Sequence, residues 1–235
     1  TLEKEGKSVA VAGRVMVTRG QGAILFIVLQ DGATKFQSVL KKDELSEDVF
    51  NLFVDTVDSG DFISVTGTLF VTARGEQSIL IKSWVMASKA LLPLPDKWHG
   101  LQDVEETYRK RYLDIIMDTE VYNRFAIRSK VVTAIRAYMD GKGFMEVETP
   151  ILQNQAGGAM AKVFDTHHND FDIPMVLRIA LELEHKILMS AGYERVYEIG
   201  KNFRNEGIDR SHNPEFSMLE YYEAYTDYND QMAQF

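Results

Sequence analysis

Between Ser8 and Met86 apolar and polar positions alternate over short stretches rich in β-branched residues: VAVAGRVMVTR, AILFIVLQDG, TKFQSVL, FISVTGTLFVT and SILIKSWVM. Period-two alternation bounded by turn residues marks half-buried strands. Gly-containing turns at QDGAT and ARGE join neighbours, whereas KKDELSEDVFNLFVD interrupts the rhythm with a helical period. The pattern therefore predicts five strands with a helix inserted after the third. Such a set either closes into a small barrel or packs as a sandwich, and alternation alone separates the two poorly.

Beyond Met86 the pattern changes. LLPLPDKWHGLQDVEETYRKRYLDIIMD breaks the strand rhythm with two prolines, then turns helical, and reads as a linker. Phe125, Arg128, Val131, Val132, Ile135, Tyr138 and Met139 recur at three- and four-residue spacing, which predicts one helical face ended by Gly141 and Gly143. FMEVETP alternates as a strand up to Pro150, and a further helix is expected over Ala180 to Ala191, closed by Gly192. Glu194–Arg204 and Glu215–Tyr225 read as two antiparallel strands joined by the loop NEGIDRSHN.

Composition narrows the function classes. The chain has 235 residues, 45% apolar and 26% charged, which suits one large or two smaller globular domains. A formal charge of -9 argues against non-specific coating of nucleic acid, which needs clustered Lys and Arg. A local nucleic-acid surface stays open, because residues 1–92 carry 10 Lys/Arg against 11 Asp/Glu and are nearly neutral. With no cysteine there is neither disulfide nor thiolate metal site. No apolar run of membrane-spanning length and no basic-then-apolar leader is seen, so no membrane is expected and a cytoplasmic location is. The final residues, YNDQMAQF, barely begin a helix and carry no capping signal, so a fragment is expected.

The two C-terminal strands carry the candidate chemistry. Period two puts Glu198, Gly200, Asn202 and Arg204 on one face, and Phe216, Met218, Glu220 and Tyr222 on one face of the partner. A face holding rings and charges together suits a cavity for something both flat and ionic; a solvated sheet face with cross-strand pairs is the other reading. Gly200 favours close approach by a ligand, and converging arginines favour a phosphate or carboxylate.

FRNEGIDRSHNPEFSMLEYYEAY resembles motif 2 of the class II aminoacyl-tRNA synthetases, and in detail that of the lysyl enzymes. In the same order along the chain, PLPDKWHGLQDVEETYRKRYLDII resembles the hinge of that family, GFMEVETPIL its motif 1, and THHNDFDIPMVLRIALELEHK its amino-acid-binding segment. The resemblance covers essentially the whole chain. It implies an all-β OB-fold anticodon-binding barrel over 1–92, a hinge over 93–118, and a partial α+β catalytic domain with an antiparallel sheet over 119–235. It implies lysine activation by ATP with Mg²⁺, transfer to tRNA(Lys), and a homodimer through the motif 1 region. Motif 3 and the acidic residues that hold Mg²⁺ lie beyond Phe235 in the family, so no metal ligand is expected here and the chain alone is expected to be inactive.

Residue by residue, the resemblance implies that Arg204 is catalytic at the α-phosphate, with Glu206, His212, Asn213 and Phe216 also binding ATP. It assigns Gly157, Glu182, Glu220 and Tyr222 to substrate lysine, and Phe26, Gln37, Glu76 and Arg19 to the anticodon, with Arg14 a further backbone contact. His212 has a second reading as a loop-capping residue, Glu182 as a helix-start acid and Phe26 as a core ring. Lys162 and Val163 depart from the family pattern, which has Arg-Pro before the phenylalanine at position 164. Two rival functions remain: an aspartate or asparagine ligase on the same scaffold, and a synthetase-like RNA-binding or regulatory module without activation activity.

Overall fold

The computed structural model describes residues 7–20, 22–95 and 100–234. Part of the hinge-like stretch, residues 96–99, lies outside the described residues, as does Phe235. The chain divides into two compact units between Arg128 and Ser129. Among the described residues, no helix is long and apolar enough to cross a membrane.

The first unit contains strands β1 (Ser8–Arg19), β2 (Ile24–Asp31), β3 (Thr34–Lys41), β4 (Phe62–Val71) and β5 (Gln77–Ser88), with helix α1 (Glu47–Thr56) after the third strand. The strands close into a barrel in the order β1-β2-β3-β5-β4, so the OB-fold barrel is the correct alternative to a sandwich. Closure depends on β3 pairing with β5 in parallel, while the remaining neighbours are antiparallel. Alternation fills the interior: Leu25, Ile27 and Leu29 of β2 are buried with Val15, Ile63, Val65, Ile79 and Ile81. Helix α1 starts at Ser46, whose hydroxyl accepts from the Val49 amide, and Glu47 and Asp48 complement its N-terminal dipole. The helix adds Phe50 and Phe53 to the same core, and Phe53 meets Trp84 edge-on. Helices α2 (Val104–Arg109) and α3 (Arg111–Met117) follow, as the linker pattern predicts.

Helix α4 (Thr119–Gly141) leads into the second unit. There, β6 (Met145–Glu146) pairs in parallel with β10 (Arg195–Phe203), which pairs antiparallel with β11 (Glu215–Glu223). A second small sheet orders β7 (Leu152–Gln153), β9 (Ile173–Leu177) and β8 (Asp165–His168). Helix α5 (Glu182–Ser190) precedes β10, and α6 (Tyr228–Gln234) follows β11. The strand expected up to Pro150 is only two residues long. After Val147 bonds the Tyr197 carbonyl, the Thr149 amide and hydroxyl turn to the Glu198 side chain instead of continuing the ladder. Of the expected α4 face, Met139 is buried and Ile135 packs beside it, whereas Phe125, Val131 and Tyr138 are exposed.

Gly67 sits at an irregularity in the β4–β5 register, where a Cβ would lie 1.9 Å from the Leu80 carbonyl oxygen. Backbone cannot yield as a side-chain tip can. Gly67→Ala is therefore expected to destabilise the barrel by about 2 kcal/mol or more, read as a lower thermal midpoint by circular dichroism. An unchanged midpoint would show that the strands part freely at this point.

Candidate active site and candidate nucleic-acid interface

The β10–β11 register sets Asn202 opposite Phe216, Gly200 opposite Met218, Glu198 opposite Glu220 and Val196 opposite Tyr222. These residues share one face, as alternation predicts. The opposite face carries Tyr197, Ile199, Leu219 and Tyr221 against Met139 and Phe144. One side of the ribbon is thus ordinary core, and its ionic side faces α5 and the segment after β9.

Beneath that ionic side lies a buried cluster that sequence reasoning missed. Arg178 is 2% exposed and Glu198 is 4% exposed, and they pair at 2.8 Å. Arg178 also donates to the carbonyls of Thr149 and Lys201, at 2.9 and 2.8 Å, and to the Thr149 hydroxyl. The Thr149 hydroxyl donates to Glu198 at 2.7 Å, and His185 Nε2 lies 3.4 Å from the same carboxylate. Burial pushes the Glu198 carboxyl up, but hydrogen bonds from His185 and Thr149 and the Arg178 charge outweigh it and hold the group below its ordinary value. The readable signal was the lone arginine in the apolar run MVLRIAL. Gly200 belongs to this cluster: a Cβ there would lie 2.4 Å from Arg178 Nη2 and 2.7 Å from Glu198 Oε1. The missing side chain makes room for the ion pair, which corrects its reading as a point of ligand approach.

Arg204, just past the end of β10, leads into a cleft of about 550 Å³ lined by Arg204, Glu206, His212, Asn213, Phe216 and Asp209. The fold brings together all five residues expected at ATP. The Arg204 guanidinium carbon lies 5.1 Å from the Phe216 ring centroid, and its Nε donates to the Ile179 carbonyl at 3.4 Å. A guanidinium on a ring presents a flat, cationic surface suited to an anionic, planar ligand. His212 is held by Asp209, with Nδ1 2.8 Å from each carboxylate oxygen, so its capping role is real in this state. The Ser211 amide and the His212 side chain together lower the Asp209 carboxyl. Asn205 bonds the backbone of Lys162 and Val163, and the Lys162 amide donates to Glu206, so the departing segment docks on this loop through main chain.

Further along the same face, the Tyr222 hydroxyl donates to Glu220 at 2.8 Å. Burial, then Glu220 and Glu182, push this hydroxyl well up, so it stays a donor. Glu182 opens α5, where Lys186 bonds its carboxylate, and both Gly157 and Gly158 approach the start of this helix closely, at Leu183 and Glu182. These four expected lysine-site residues lie outside the lining of the Arg204 cleft. Among the described residues, no group of three or more His, Cys, Asp or Glu side chains is placed to hold a metal ion.

On the barrel, a separate cleft of about 420 Å³ is lined by Arg19, Phe26, Gln37, Thr72, Arg74 and Glu76. All four residues expected to read the anticodon meet here. Phe26 is 38% exposed between the buried Leu25 and Ile27, so its ring points outward and is not core. Gln37 donates to the Ser78 hydroxyl, which fixes its amide. Arg74, at the β4–β5 turn, is a lining residue the sequence reading did not single out. Arg14 bonds the Gly60 carbonyl and stacks on Phe62, 4.3 Å away, so it is already engaged.

An outward ring with fixed polar groups and arginines is a combination that grips single-stranded bases, and comparison with known proteins places the chain in a family. Residues 103–235 match the family model of tRNA synthetases class II (D, K and N), and residues 9–87 match that of the OB-fold nucleic acid binding domain. The chain belongs to the class II tRNA synthetases. It is 52% identical over 231 residues to a lysine–tRNA ligase of Streptococcus suis, covering 98% of this chain and 46% of that protein. A lysine–tRNA ligase of Lactococcus lactis subsp. cremoris is 53% identical over 222 residues, 94% of this chain and 45% of its own. One from Clostridium perfringens is 53% identical over 230 residues, 98% and 46% respectively. The chain thus spans about half the length of these curated relatives.

Because the folded Glu198 carboxyl titrates below its ordinary value of 4.5, it contributes stability above that pH, and this is lost as pH falls through the folded value. Glu198→Gln is expected to flatten the acid limb of a thermal-midpoint-versus-pH curve below 4.5. A limb of unchanged steepness would assign acid sensitivity elsewhere.

Proposed function

We propose that this chain forms the anticodon-reading part and a portion of the catalytic part of a lysine–tRNA ligase. The observation that carries this is the gathering of Arg204, Glu206, His212, Asn213 and Phe216 around one cleft, with Glu220 and Tyr222 next on the same sheet face. Phe216 stacks on adenine, Glu206 accepts from its amino group, and Arg204 meets the α-phosphate and the lysine carboxylate. His212 and Asn213 close over the nucleotide, which requires the His212 ring to exchange Asp209 for phosphate. Glu182, near the Gly157 and Gly158 backbone, receives the α-amino group. Glu220, oriented by Tyr222, receives the side-chain ammonium; an acidic group there supports lysine over aspartate or asparagine, whose side chains call for a basic or amide-matching partner.

In the whole enzyme, a lysine carboxylate oxygen attacks the α-phosphorus of ATP, a P–O bond forms, and pyrophosphate leaves with the electrons of the broken bond. A terminal ribose hydroxyl of tRNA(Lys) then attacks the lysyl carbonyl and AMP departs. Arg204 acts by neutralising charge that grows on the phosphoryl oxygens, so its contribution is greatest in the transition state. Mg²⁺ belongs to the family's chemistry, but among the described residues no group of three or more His, Cys, Asp or Glu side chains is placed to hold it.

Phe26 stacks on an anticodon base while Gln37, Glu76 and Arg19 bond its edge or backbone. Residues 1–92 form the RNA-reading domain, 93–118 a hinge and 119–235 the catalytic portion, working in the cytoplasm. The exposed apolar side chains of α4, including Phe125, Val131 and Tyr138, support a homodimer contact through the motif 1 region.

In the full-length protein, Arg204→Ala should lower lysine-dependent ATP–pyrophosphate exchange by about 100-fold or more. Near-normal exchange would remove Arg204 from the chemistry. Phe26→Ala should weaken tRNA charging by about 10-fold and leave adenylate formation intact, since one stacked base contributes ~1–3 kcal/mol. Equal loss of both steps would instead mark Phe26 as a folding residue.

A further inference from the structure

His185 is fully buried, yet no bond is made by its Nδ1 atom. A buried polar atom without a partner is destabilising, so packing alone would be better served by an apolar side chain of similar volume. The ring touches two structures at once. Its Nε2 faces Glu198 of the buried Arg178–Thr149 cluster, and its ring makes a T-shaped contact with the Tyr222 ring, with centroids 5.5 Å apart and 84° between planes. That edge-to-face arrangement is the one favoured by ring electrostatics, and it restricts the tilt of the tyrosine. Tyr222 in turn donates its hydroxyl to one oxygen of Glu220, leaving a carboxylate with capacity for further donors. His185 also lies three residues after Glu182 on α5, hence on the same side of that helix.

We propose that His185 is a positioning residue for amino-acid recognition: anchored on Glu198, its ring fixes Tyr222, and through Tyr222 the Glu220 carboxylate, in the orientation that receives the substrate ammonium. This rests on the assignment of Glu220 to the lysine side chain. The route is a relay of rigid contacts from a buried ion pair to a ligand-facing acid. It predicts a defect confined to lysine, because no part of the relay lines the Arg204 cleft.

The test is steady-state ATP–pyrophosphate exchange in the full-length protein, with KM measured separately for lysine and ATP. His185→Ala is expected to raise the lysine KM about five-fold, matching one ring contact, with the ATP KM within about two-fold. His185→Phe, which keeps a ring against Tyr222, is expected to recover most of that loss. If the alanine variant does not fold, His185→Gln, similar in volume but ringless, should show the same split. Combined with Tyr222→Phe, the histidine substitution should add less than its separate effect, because the His185 ring reaches Glu220 only through the Tyr222 hydroxyl that this change removes. A lysine KM unchanged in the ringless variants, or both KM values raised alike, overturns the proposal. Glu220→Gln distinguishes the two levels: if it raises the lysine KM while the His185 variants do not, the pocket assignment stands and the relay falls. If Glu220→Gln leaves the lysine KM unchanged, both fall.

Discussion

The buried pair of Arg178 and Glu198 ties together three stretches of the second unit that are far apart in sequence. Thr149 follows the short β6, Arg178 follows β9, and Glu198 and Lys201 belong to β10; the Arg178 guanidinium contacts both of the other stretches. A buried ion pair adds little net stability over a well-packed apolar substitute, because desolvation offsets most of the attraction. Its influence is on which arrangement survives. Any packing that separates the two charges strands one of them in the interior, so this cluster fixes the height and register of the ribbon on which Arg204 and Glu220 are displayed.

Much of this architecture could be read from the sequence. Alternation from Ser8 to Met86 carried the five strands and the inserted helix, and the barrel followed once β3 and β5 were seen to pair in parallel. That closure is a long-range pairing for which local periodicity has no signal. The two faces of β10 and β11 followed from period two, since both strands are long and regular. Gly200 was legible as a place where a side chain is excluded; what fills the space was not, because Arg178 arrives from a segment some twenty positions earlier. FMEVETP alternates like a longer strand than it makes, since Thr149 finds a carboxylate to bond in place of a neighbouring backbone.

The two clefts, one in each unit, use the same kinds of group. Arg19, Phe26, Gln37 and Glu76 meet on the barrel; Arg204, Phe216, Asn213 and Glu206 meet on the ribbon. Each set offers a ring face, a guanidinium, an amide and a carboxylate. That combination suits a nucleobase carrying phosphate: stacking takes the π-face, the amide and acid take the edge, and the arginine takes the charge. Both sets were expected from the resemblance to the class II synthetases, not from alternation, and the fold gathers each around one cleft. Arg74 and Asp209 escaped that expectation, being ordinary turn residues until the fold brings them to the rim.

Closure of the barrel has a consequence for how its outer cleft can evolve. Every strand has a neighbour on both sides, so much of its main-chain donor and acceptor capacity is committed within the cylinder and little is left along which a foreign segment could zip. Discrimination must then reside in a few protruding tips supported by an indifferent frame. On the proposed reading of the barrel, exchanging Gln37 or Glu76 redirects base preference while the cylinder itself stays as it was.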